Sequence, residues 1–198
     1  MLDIETLRLS PNSVIASIGA ARFYPTKPPR PNEVFERRID LVDAASRGLK
    51  LEPNTVEWWF VQSKDAQEAI LGGKRDRLDV ALRAFSLWVA NLRAPGAYGI
   101  RSPLAVWAKS PNFDYVLLEA AYSLCNLLVP WSYREMYDVR TLLAVAPLHP
   151  DWAPATPTVK YSALAAAVAQ ASDVIDALAA IGATKASTVA HKPLWSFP

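Results

Sequence analysis

The sequence predicts an α/β domain, a mixed sheet with helices packed on it, and three observations predict it. Short β-branched or alternating runs open the chain; the apolar period becomes helical after Pro53; and the elements run strand, strand, strand, helices, strand, helix, strand, helix. Of 198 residues 52% are hydrophobic and 20% charged, with a net charge of +2, which removes the disordered and collagen-like classes. One core is the expectation at this length, over residues 1–181, followed by an apolar tail over 182–198.

The first strand is read from Met1 to Thr6, where apolar and acidic residues alternate, and the second from the apolar run Ser13 to Tyr24. Ser10-Pro11-Asn12-Ser13 supplies turn chemistry between them, so they pair as an antiparallel hairpin. After the prolines of residues 25–31, Glu33 to Ile39 alternates and carries the charges that suit an edge strand. Thr55 or Asn54 is the expected N-cap of a short helix through Phe60, and Ser63 of another from Lys64 to Leu71. Arg77 to Arg93 spaces Leu78, Leu82, Phe85, Val89 and Leu92 by threes and fours, the pattern of an amphipathic helix. Pro103 to Lys109 reads as a buried strand, Asn112 to Asn126 as a helix, Tyr137 to Arg140 as a brief strand, and Thr141 to Ala146 as a helical turn or two. Four prolines between Pro147 and Pro157 dictate an extended loop. Tyr161 to Ile181 is an alanine-rich helix. The tail, with Leu194, Trp195 and Phe197, either docks on the body or on a second subunit, or frays.

Several functions are excluded. A lone cysteine, Cys125, cannot form an internal disulfide and reads as core; with no secretory pattern ahead of the fold, a cytoplasmic protein is the expectation. Arg, Lys, Asp or Pro interrupts every apolar run before the roughly 20 residues of a membrane span. Near-zero net charge argues against nonspecific coating of nucleic acid while leaving room for a local cleft. Gly72-Gly73 precedes a basic cluster instead of following a strand, so no phosphate loop is present.

Asp3 and Glu5 stand two apart on a strand and project from one face, where paired carboxylates can share a hard cation. A terminal strand that exposes its acids would give the same pattern. The wider strings carry more. Leu2-Asp3-Ile4-Glu5-Thr6-Leu7 with Asn12 to Phe23, Thr55 to Trp59 with Gln62-Ser63, Val106 to Leu118 including Phe113-Asp114, and Asp138-Val139-Arg140-Thr141 resemble the DnaQ-like, DEDD-type 3′-5′ exonucleases. The resemblance is to the ribonuclease AS-like, exonuclease VIII-like branch and covers residues 2 to 180.

The resemblance implies a ribonuclease H-like mixed β-sheet flanked by helices and hydrolysis of RNA or single-stranded DNA from 3′ ends. It implies Mg²⁺ or Mn²⁺ as cofactor, held by four acids as two ions about 3.5 to 4 Å apart. Asp3, Glu5 and Asp114 match three acids; the alternative for Asp114 is a first-turn acid favoured by the helix dipole. Thr6 and Leu7 fall where the family grips the terminal nucleotide, Phe113 where a base is wedged, and of Trp58-Trp59 one is expected in the core and one in the cleft, with Trp59 taken as the substrate contact. A homodimer is favoured by resemblance only.

The third motif departs. Where related proteins carry His-x-Ala-Leu-Asp-Asp-Ala, this chain has Tyr161-Ser162-Ala163-Leu164-Ala165-Ala166-Ala167. Tyr161 takes the place of the catalytic His, and Ala165 and Ala166 replace the acids. One ion site is therefore expected to be weakened, and with the base goes a contribution of roughly 10² to 10⁴ in rate. Asp173, seven residues beyond Ala166 and about 10 Å along a helix, is too far to substitute. His149 and His191 are read as exposed polar residues, Asp138 as a cap or an orienter of Arg140, and Arg37-Arg38 and Lys74-Arg75 with Arg77 as either a phosphate track or plain solvated surface. Two readings stay open: a weakened nuclease, and a homologue that binds nucleic-acid ends or a protein partner without cutting.

Overall fold

The computed structural model describes residues 1–93 and 104–183. The start of the predicted strand at Pro103, His191 and the apolar tail lie outside the described residues. Among the described residues five strands form one sheet in the order β3-β2-β1-β4-β5. β2 (Ile15–Ala21) runs antiparallel to both β1 (Leu2–Thr6) and β3 (Val34–Arg38); β4 (Val106–Ala108) lies parallel to β1, and β5 (Met136–Asp138) parallel to β4. This is the mixed sheet that the element order predicts and is consistent with the ribonuclease H-like layout that the resemblance implies, with the hairpin closed through Asn12 in the left-handed region (φ 63°).

Among the described residues seven α-helices cover the sheet: α1 (Leu41–Ser46), α2 (Pro53–Phe60), α3 (Lys64–Leu71), α4 (Leu78–Leu92), α5 (Pro111–Leu124), α6 (Val139–Val145) and α7 (Ala163–Ala180). β2 is buried along its whole length because helices close over both faces, which is why it reads as an unbroken apolar run. On one face Phe35 packs tilted on Phe85 and Trp88 of α4. On the other, Met1, Val139, Ala167, Ala171 and Val174 join α6 and α7 to the sheet.

The differences from expectation have local causes. α2 begins at Pro53, capped by the backbone at Glu52, ahead of Asn54 and Thr55, because proline's missing N–H costs nothing at the first helical position. Ser63 caps α3 as expected, accepting from the Ala66 N–H at 3.3 Å. α1 was not legible from apolar period because it is only six residues long. Asp40 nucleates it by accepting from the N–H groups of Val42 and Asp43. Asp138 caps α6 through the Arg140 N–H and the Thr141 hydroxyl.

α7 is long and apolar enough by composition to cross a membrane, but here its small residues lie against the sheet. That approach depends on Gly19. A Cβ there would fall 2.2 Å from Ala163 C and Leu164 N, so Gly19→Ala must push the first turn of α7 off the strand. The expected loss is about 1–3 kcal/mol, as for core overpacking, readable as a lower urea midpoint with an unchanged slope.

Candidate active site

β1 places Asp3 and Glu5 on one face, half-buried, while Leu2, Ile4 and Thr6 between and around them are buried. Asp3 pairs with Gly19 and Glu5 with Ser17, and directly paired residues share a face. Because α7 closes on Gly19, its first turns lie beside the two acids. Asp114 stands in the first turn of α5, directly after β4, and is 4% exposed. Since β4 runs parallel to β1, α5 starts alongside the acidic strand, close enough for the Ile4 backbone to favour the ionised Asp114 carboxyl.

The electrostatics show that the three carboxyls share one environment. Burial, then the charges of Asp114 and Glu5, push Asp3 well above the ordinary range, against the Gln170 hydrogen bond and the Lys109 charge. Burial and then Asp114 raise Glu5 to about 7. Burial raises Asp114 to about 7, opposed by backbone hydrogen bonds at Ser110, Asp114 and Ile4 and by Arg140. Among the described residues, no three His, Cys, Asp or Glu side chains lie close enough as they stand to clasp a metal ion. Three carboxyl groups sharing one buried region are hard oxygen donors of the kind a divalent cation takes, and Ala166 adds no side-chain oxygen to them.

Beside the acids lies a cavity of about 550 Å³, lined by Glu5, Thr6, Trp58, Trp59, Phe113 and Tyr161 among others. Trp59 is 5% exposed and its Nε1 donates to the Thr6 carbonyl at 3.0 Å, while Trp58 is 43% exposed. Both rings line the cavity, so Trp59 is core and wall at once. Trp58, Trp59 and Tyr161 meet edge to face with centroids 5.0 to 5.4 Å apart. Tyr161 holds φ 62°, a left-handed conformation that costs a non-glycine residue about 1–3 kcal/mol, and Lys160 Nζ lies 4.8 Å from the centre of its ring.

Leu7 is not brought into this cavity. Its N–H and carbonyl are spent on Val14 and Glu52, and its side chain lines a separate apolar cavity with Leu41, Val56 and Ile70. The pairing register shifts between Glu5 and Thr6 and the strand ends there, so alternation along β1 no longer sets where Leu7 points.

Elsewhere the charged candidates are spent locally. Asp173 accepts from the Ala155 N–H at 2.7 Å and Asp176 from Trp152 Nε1 at 3.1 Å, so both pin the proline-rich loop to α7. His149 is exposed beside Asp151. Arg37 pairs with Asp76, Arg77 with Asp43 and Asp79, and Arg75 donates to the carbonyls of Ile39 and Ile70, while Arg38 and Lys74 line a separate cavity together with Arg37 and Asp76. Cys125 is half-buried at the end of α5, its thiol pushed up by burial.

One residue of the site was missed from sequence. Gln170 on α7 donates from Nε2 to Asp3 Oδ1 at 2.8 Å and is only 7% exposed. The available signal was its position, four residues after Ala166 and therefore on the same face of the helix.

Against known families, residues 1–178 match the model described as 3′-5′ exoribonuclease Rv2179c-like domain. A search of curated proteins finds no match.

Proposed function

Because the chain belongs to the Rv2179c-like 3′-5′ exoribonuclease family, a 3′-5′ exonuclease-like function on nucleic acid is the premise, and we propose a specific form of it. The chain acts on 3′ ends of RNA or single-stranded DNA as a weakened DEDD-type nuclease, with Mg²⁺ or Mn²⁺ held by Asp3, Glu5 and Asp114. The observation that carries this reading is that Glu5 belongs both to the buried acidic set and to the wall of the aromatic cavity. A terminal base seated against Trp58, Phe113 and Tyr161 has its 3′ phosphodiester next to the acids; base-on-aromatic stacking is worth about 1–3 kcal/mol.

When bound, the cation supplies charge neutralisation and a Lewis-acidic centre for phosphodiester hydrolysis. The protein's own groups orient the reaction. Lys109 and Arg140 favour the ionised forms of Asp3 and Asp114, and the edge-to-face rings fix the cavity wall. With Tyr at 161 and Ala at 166, the base and one acid are forgone.

Those same two positions favour the second reading, a homologue that binds ends without cutting. A 5′-labelled oligonucleotide incubated with Mn²⁺ separates them. Shortening from the 3′ end that Asp3→Ala abolishes is the expected result. Retention of full-length oligonucleotide by a folded wild-type chain that still binds it supports the second reading instead.

A further inference from the structure

The Gln170 amide carries one bond and one unmet demand. Nε2 donates to Asp3 Oδ1, while Oε1 is buried with no hydrogen-bond partner. Leaving such a carbonyl unsatisfied costs about 1–3 kcal/mol, so a native structure that keeps one there calls for a partner. Oε1 sits on the same planar amide that holds Asp3, and so belongs to the immediate surroundings of that carboxylate.

The helix explains why this residue can serve. Gln170 follows Ala166 by four residues, which stacks the two on one face of α7. Helical side chains lean toward the N-terminal turn, so Gln170 reaches back over the turn that Ala166 occupies, with one methylene more than an aspartate. The first turn of α7 is pressed against Gly19, the partner of Asp3. Ala166 thus lies between two parts of the helix that both meet the neighbourhood of Asp3.

We propose that Gln170, through Oε1, replaces the missing third-motif carboxylate as a neutral oxygen ligand to the divalent cation of the Asp3, Glu5 and Asp114 site. This rests on the metal reading above and deepens it. The ligand set carries three formal negative charges where the family carries four, a set suited to one ion.

The test is Mn²⁺ binding to the full chain, by titration calorimetry and by the electron paramagnetic resonance signal of free Mn²⁺, with circular dichroism to confirm each variant's fold. Gln170→Ala is expected to weaken Mn²⁺ about 10- to 100-fold. Gln170→Glu, which restores the charge on the same face, is expected to tighten it roughly tenfold. The number of waters on bound Mn²⁺, read from ¹⁷O-water line broadening, should rise by one in Gln170→Ala, because water takes the vacated position; an amide that only hydrogen-bonds Asp3 would leave that number unchanged. If Asp3→Asn abolishes binding while both Gln170 variants bind as wild type does, the inference is overturned, the metal reading stands, and the partner of Oε1 is water. If wild type binds no Mn²⁺, both fall together.

Discussion

Tyr161→His combined with Ala166→Asp is expected to raise the rate of 3′ shortening by a factor of about 10² to 10⁴ over wild type. The backbone is already placed for both. Tyr161 lines the cavity that contains Glu5, and histidine is among the residues that most readily accept its φ of 62°, so the imidazole adds no backbone strain. The cost is the loss of edge-to-face contacts with Trp58 and Trp59, each worth about 0.5–1.5 kcal/mol. Ala166 is half-buried on the helix face whose next turn touches Asp3, so an aspartate there enters the acidic set. Each single substitution should give little, because base and ligand act on one step and their effects are not additive. The measurement is the initial rate with Mn²⁺ for the four combinations, each beside an Asp3→Ala control. A folded double variant no faster than wild type would mean that Ala166 does not face the acids.

What was legible in the sequence follows from the length scale of each signal. The order of strands and helices, the β1 to β2 hairpin and α4 were readable because they extend over enough residues for period and turn chemistry to agree. That Asp3 and Glu5 share a face was readable because a strand alternates strictly, whereas Asp114 was singled out by the resemblance of the Val106 to Leu118 string, and the structure places it in the first turn of α5. Leu7 lies away from the aromatic cavity because alternation stops there, after the register shift at Glu5 and Thr6. Gln170 was missed for a different reason. Its contact with Asp3 spans 167 residues, and glutamine in an alanine-rich helix carries no local mark of burial. Trp59 shows a third kind of limit: the sequence offered core or cleft as alternatives, while its indole is buried and still forms the cavity wall.

Raising the pH from about 5 to about 8 is expected to destabilise the metal-free chain, and a divalent cation is expected to remove that penalty. Glu5 and Asp114 both have folded-state values raised to about 7, against about 4 in an unfolded chain. Between those values the native state binds more protons than the unfolded state, so stability falls as pH rises. Their contribution is fully present below about pH 4 and is lost as pH passes through 7, with a ceiling of roughly 3 to 4 kcal/mol for each group at 1.36 kcal/mol per unit. Asp3, shifted in the same direction, adds to the same slope. Urea unfolding at pH 5 and pH 8 reads this directly. Glu5→Gln should flatten the dependence, because its amide does not titrate. A cation bound among Asp3, Glu5 and Asp114 would turn the liability into an attraction, and at 100 times its dissociation constant it adds about 2.7 kcal/mol to the folded state. Mn²⁺ should therefore raise the urea midpoint more at pH 8 than at pH 5, where protons compete for the same oxygens. Equal midpoints at the two pH values without metal would show that these carboxyls are solvated in solution, and would remove the electrostatic reason for a cation at this end of β1.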